Sequence, residues 1–111
     1  MMKKVTTIQE FNTIIQTGKT IVMFSADWCG DCVYIEPQLP EIEADNPTFN
    51  FIHVDRDELL ELCQDLAIFG IPSFVAFENG KETGRFVNKE RKTKEEINRF
   101  VASLSSQERS E

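Results

Sequence analysis

Cys29 and Cys32 are separated only by Gly30 and Asp31, in the run Trp28-Cys29-Gly30-Asp31-Cys32. An apolar stretch, Ile21-Val22-Met23-Phe24, comes just before them and a helix-like segment follows. A thiol at the start of a helix has backbone N–H groups pointing at it and the positive end of the helix dipole beside it. Both favour the thiolate, the reactive form of cysteine. A second thiol one turn later can attack whatever disulfide the first one forms. The chemistry this spacing offers is thiol–disulfide exchange. The same spacing is also half of a zinc site, but a closed site needs four ligands. Cys63 and His53 are the remaining soft ligands and neither has paired spacing, so no metal site is expected.

The elements that must position the pair follow from the hydrophobic pattern. Residues 3–6 form a short first strand. Residues 7–17 carry Ile8, Phe11, Ile14 and Ile15 at helical spacing, and Gly18 ends the helix. Residues 20–25 are a strongly apolar strand. A helix is expected from Cys32 to about Asp45, with Tyr34, Ile35, Leu39 and Ile42 on its inner face. Residues 50–54 form a strand, in which His53 is a packed or edge residue rather than a catalyst. Residues 58–66 form a short helix with Leu59, Leu62, Cys63 and Leu66 on one side, so Cys63 reads as a small buried thiol. A strand over 73–78 meets the hairpin signal Asn79-Gly80, and 81–87 should return antiparallel. Thr93 and Glu96 have capping-box spacing ahead of a last helix through Ile97, Phe100, Val101 and Leu104. The run Lys89-Glu90-Arg91-Lys92 reads as a solvated loop. The order is β-α-β-α-β-α-β-β-α. It predicts an α/β fold with a central mixed sheet flanked by helices on both faces.

Composition excludes several classes. The 111 residues fit one domain, 1–111, with 105–111 a polar tail expected to fray. A hydrophobic content of 41% with nine Phe is that of a globular chain with an aromatic-rich core. A net charge of −7 argues against nucleic acid and anionic membranes as partners. The longest apolar run is too short to span a bilayer, and no signal-peptide core follows the first residues. A cytoplasmic, monomeric protein is the expectation. Three cysteines, an odd number, argue against a secreted disulfide scaffold.

The chain resembles the thioredoxin family over nearly its whole length. The resemblance rests on Ser25-Ala26-Asp27-Trp28-Cys29-Gly30-Asp31-Cys32 and on Gly70-Ile71-Pro72-Ser73-Phe74. The strand ending in Val54-Asp55 and the hairpin Phe77-Glu78-Asn79-Gly80-Lys81 support it. It implies a protein-disulfide oxidoreductase active in electron transport and cell redox homeostasis. Cys29, at the exposed helix edge, would attack; the more buried Cys32 would resolve. No cofactor is implied beyond the reversible Cys29–Cys32 disulfide. The partners implied are disulfide-containing proteins as substrates and a thioredoxin reductase or other dithiol donor. A cis peptide before Pro72 is expected, beside the cysteines. Trp28, Gly30, Ile71, Pro72 and Val87 would form a shallow groove for an extended peptide.

Departures from the family pattern qualify these roles. Asp31 stands where a proline is usual beside the second cysteine. Its charge should oppose a Cys29 thiolate by ~3 kcal/mol at ~5 Å and an effective dielectric of ~20, before solvent screening. That outweighs the ~0.3–1 kcal/mol of an exposed helix terminus and predicts a more reducing couple. The family's buried Asp and nearby Lys are replaced by Met23 and Phe51. Asp31 or Asp27 is then the candidate proton relay for Cys32. Val33 replaces a usual Lys and Asn88 a usual Gly, Pro37 matches the family's helix-kinking proline, and Pro40 is additional. The rim should be acidic and apolar: Asp27, Asp31 and Glu36 near Trp28 and Tyr34. Met23 and Phe51 also keep open an alternative, a redox-competent binding or adaptor module with little turnover.

Overall fold

The computed structural model describes residues 2–109, with side chains through Leu104. The elements are β1 (Lys3–Val5), α1 (Ile8–Ile15), β2 (Lys19–Ser25) and α2 (Gly30–Ile35). A 3-10 turn (Glu36–Gln38) leads to α3 (Leu39–Asp45), followed by β3 (Asn50–Asp55) and α4 (Leu60–Asp65). The chain closes with β4 (Ser73–Glu78), β5 (Lys81–Phe86) and α5 (Lys94–Arg109). The tail expected to fray from residue 105 has side chains outside the described residues, as are residues 110–111 altogether.

The strands form one sheet in the order β1-β3-β2-β4-β5. β2 pairs parallel with β3 and antiparallel with β4, so the mixed sheet inferred from the element order is present. β2 is buried on both faces, which explains its unbroken apolar run. On one face Val22, Phe24, Ile52 and Val75 pack with Phe11 and Ile15 of α1 and with Leu62 and Cys63 of α4. On the other, Ile21, Met23, Phe51 and Phe74 pack with Leu39 and Ile42 of α3 and with Ile97 and Val101 of α5. Helix α2 serves both sides: Cys32 joins the first cluster and Ile35 the second.

The hairpin after β4 turns on Asn79 at φ 51° and Gly80 at φ 89°, the left-handed pair that a two-residue hairpin of this twist requires. The Thr93 hydroxyl accepts from Glu96 N and the Glu96 carboxylate accepts from Thr93 N, completing the capping box. Three expectations need correction. The helix from residue 32 to 45 is not continuous. Pro37 and Pro40 have no N–H for the helical ladder, so each opens a new segment, the 3-10 turn and α3. Tyr34 is exposed rather than on the inner face. Helix α4 starts later than predicted because Asp55 Oδ1 accepts from Asp57 N and Glu58 N at 2.8 and 3.2 Å, turning the chain before the helix begins.

Candidate active site

Strand β2 ends at Ser25, and a turn over residues 26–29 delivers Cys29 to the N-cap of α2. Its backbone there is extended, at φ −85° and ψ 109°. Cys32 N–H points at Cys29 Sγ from 3.2 Å, so a backbone donor faces the atom where thiolate charge would reside. The two cysteines are joined in a disulfide, with their Cα atoms 5.2 Å apart. Cys29 is less exposed than a helix edge suggests: 7% accessible against 3% for Cys32. The neighbouring wall explains this, since Ile71 O lies 3.9 Å from Cys29 Sγ.

That wall comes from the segment before β4. The Ile71–Pro72 peptide is cis, as the resemblance implied. The Ser73 hydroxyl donates to Gly70 O and, at 3.5 Å, to Asn88 O, tying this loop to the one after β5. Gly70 packs against Asn88 so closely that a side chain there would overlap backbone. Val87 is half-buried and packs against the core beneath this wall. Gly30 is exposed and nothing crowds its Cα, leaving one flank of Cys29 open. Trp28 is 63% exposed, and its indole N–H donates to Asp57 Oδ2 at 2.7 Å. Arg56 lies over the Trp28 ring, 5.4 Å from its centroid. Phe69, Val33 and Tyr34 add exposed apolar surface.

Behind the motif, Met23 is buried and pairs in register with His53. The His53 imidazole hydrogen-bonds through Nε2 to the Ser25 hydroxyl. Both line a cavity of about 510 Å³ between the sheet and the 3-10 turn, with Glu36, Pro37, Pro40 and Glu43 along its side. Burial pushes the His53 pKa below its usual value, partly opposed by Asp55, so the neutral ring is favoured. Phe51 is buried in the core of the same face. Glu36 therefore borders this cavity. Cys63 is a buried free thiol whose pKa burial pushes up to about 11, the profile of an unreactive cysteine.

The two carboxylates flanking the dithiol differ. Asp27 is exposed in the turn after β2. Asp31 Oδ1 receives Arg91 Nε at 2.9 Å, an ion pair that the sequence reading missed. The unopposed repulsion expected from Asp31 is corrected accordingly. Arg91 also covers the Tyr34 ring, with Cζ 4.1 Å from the centroid. The run 89–92 is likewise not simply a solvated loop, because Lys92 is 1% accessible. Its ammonium donates to Asn88 Oδ1 at 2.7 Å, Asn88 O at 3.3 Å and Glu90 O at 2.6 Å. With Arg56 and Arg91 in place, the rim carries both signs rather than being acidic. Arg56 and Asp57 follow β3 directly, and the parallel β2–β3 pairing brings that loop beside Trp28. Nothing in the spacing of the sequence pointed to Arg91.

The comparisons agree with this geometry. A family model described as thioredoxin matches residues 2–103. The mitochondrial thioredoxin-2 of Schizosaccharomyces pombe is 35% identical over 97 residues, covering 84% of this chain and 73% of the relative. Thioredoxin-1 of Saccharomyces cerevisiae is 33% identical over 88 residues, covering 78% of this chain and 85% of the relative. The oxidised thioredoxin of Plasmodium falciparum matches with a TM-score of 0.81 at 29% identity, covering 93% of this chain and 97% of that one. The thioredoxin of Trypanosoma brucei brucei matches in fold with a TM-score of 0.85 at 23% identity, covering 96% and 92%.

Proposed function

The chain belongs to the thioredoxin family, and from that premise we propose that it reduces protein disulfides, with Cys29 attacking and Cys32 resolving. The family makes it a thiol–disulfide oxidoreductase whose redox centre is the Cys29–Cys32 pair. The observation that supports the order of attack is the N–H of Cys32 directed at Cys29 Sγ. A thiolate on that sulfur gains a charge-assisted hydrogen bond, and Cys29 is the more accessible of the pair.

In the proposed cycle the Cys29 thiolate attacks one sulfur of a substrate disulfide. The substrate S–S bond breaks, and the departing sulfur takes a proton. Cys32 then loses its proton and attacks Cys29 Sγ, expelling the second substrate sulfur. The substrate gains two electrons and the protein is left with the Cys29–Cys32 disulfide. A dithiol donor such as a flavoprotein thioredoxin reductase returns the two electrons. Trp28, Ile71 and Val87 border the path of an extended substrate peptide, and Pro72, with no N–H, leaves Ile71 as the neighbouring partner for strand-like pairing. Asp27 and Asp31 remain the proposed carboxylates near the proton released by Cys32. A cytoplasmic, monomeric protein is the accompanying reading. The buried free thiol of Cys63 fits a reducing compartment.

Insulin reduction coupled to a thioredoxin reductase tests the activity. Cys32→Ser is expected to hold substrates as mixed disulfides through Cys29, and Cys29→Ser to hold none. Trapping by Cys29→Ser instead would reverse the two roles. Absence of turnover with partner capture intact would favour the binding module that Met23 and Phe51 left open.

A further inference from the structure

We propose that Arg91 is a positioning residue for the redox centre: it neutralises Asp31 and so keeps the Cys29 thiolate accessible near neutral pH. The inference rests on the reading of Cys29 as the attacking thiol.

Asp31 lies in the first turn of α2, two residues after Cys29 and next to Cys32. Alone, its charge would oppose a thiolate on Cys29. Arg91 reaches it from the loop between β5 and α5, with Nε 2.9 Å from Oδ1. The guanidinium makes a second contact on the same helix, stacking on Tyr34 one turn further along at 4.1 Å. Two contacts on one helix face orient the cation more firmly than an ion pair alone. The loop that carries it is also fixed. Lys92, the next residue, is buried, with its ammonium on three oxygens of Asn88 and Glu90 and 5.3 Å above the Phe86 ring. The Asp31 charge also reaches the Lys92 ammonium at longer range and favours its charged form. Asp27 in the turn after β2, and Arg56 and Asp57 on Trp28 from the loop after β3, are further charges beside the motif.

The pair is exposed, with side chains 55% and 36% accessible, so its effect on folding stability is small. Its consequence is local. A neutral Asp31–Arg91 unit cancels most of the field that Asp31 alone would place on the dithiol. The unusual acidic residue in the motif and the distant arginine therefore form one device.

The test follows the thiolate ultraviolet absorbance of the reduced protein against pH. Arg91→Gln should raise the titration midpoint by about half a pH unit as Asp31 is unmasked, lowering the thiolate fraction at neutral pH about threefold. A more basic thiolate is a better nucleophile, so insulin reduction should slow only about twofold. Arg91→Lys should keep the midpoint near that of the native protein. Arg91→Gln combined with Asp31→Asn should restore it. Urea unfolding of each variant confirms that the fold is kept, and a midpoint unmoved in folded Arg91→Gln overturns the inference. So does a double variant whose midpoint stays as high as that of Arg91→Gln. If the titration persists in Cys29→Ser, the signal belongs to Cys32 and the reading of Cys29 falls first, taking the inference with it.

Discussion

His53 sits where its neutral form is favoured. Burial withdraws the imidazole from water and outweighs the carboxylate of Asp55, while Lys4 adds to the burial effect and Glu36 and Asp27 oppose it. The folded protein therefore binds this proton less readily than the unfolded chain. The sign follows from linkage: stability is full above the unfolded value near 6.5 and falls as pH drops through and below it. Urea midpoints at pH 7.5 and 5.5 check this. The native protein is expected to lose stability across that interval by a fraction of the ~1.4 kcal/mol per pH unit that one whole proton would give. His53→Gln, which keeps a hydrogen-bonding side chain for Ser25, should lose less; an equal loss would place the titration elsewhere. Among single residues, Cys29 and Cys32 were legible in the sequence because their chemistry is written in their spacing, whereas the cis peptide before Pro72 was expected only from the family resemblance. The buried character of Cys63 was legible from helical spacing. The partnership of Ser25 with His53 was not, since it depends on the register of two strands far apart in the chain.

The loop before β4 shows how closely two segments meet. A Cβ added at Gly70 would lie 2.5 Å from Asn88 C and O and 2.6 Å from Lys89 N. These are backbone atoms and cannot rotate away. Gly70→Ala is expected to destabilise the protein by about 1–3 kcal/mol and to slow insulin reduction by shifting Ile71 from Cys29. Gly84 is the contrast. A Cβ there meets the Leu104 Cδ2 methyl at 2.6 Å, the end of a side chain that can turn aside. Gly84→Ala should cost less stability and leave reduction faster than in Gly70→Ala. Matching urea midpoints and rates for the two variants would contradict this. At this scale most strands and helices were readable from period and turn chemistry, and the Asn79-Gly80 hairpin and the Thr93 capping box were readable outright. The broken helix after Cys32 was marked by Pro37 and Pro40, but its apolar spacing runs on through both. The delayed start of α4 hid in the Asp55 side chain, which competes for backbone N–H groups before the helix can use them.

The whole sheet is organised around β2, which is bonded on both sides, while β1 and β5 lie at the edges. Hydrogen exchange should therefore be slowest for amides of β2 and its neighbours β3 and β4, and fastest among strands in β1 and β5. Amide exchange followed by NMR checks the order; protection in β5 equal to that in β2 would show that the sheet opens as one unit. The mixed architecture was legible because helices between strands require crossovers and the hairpin requires reversal. Which charges would meet across the molecule was not legible: Asp31 and Arg91 are brought together only by the finished fold. The strand order also bears on how the protein is made. Cys29 and Cys32 leave the ribosome well before Ile71, Pro72 and β4, which complete their surroundings. At roughly 5–20 residues per second, that interval is roughly 2–8 s. Through it the two thiols are near neighbours without the Ile71–Pro72 wall or β4 beside them, so the newborn chain meets the redox conditions of the compartment in which it is synthesised before its site is complete.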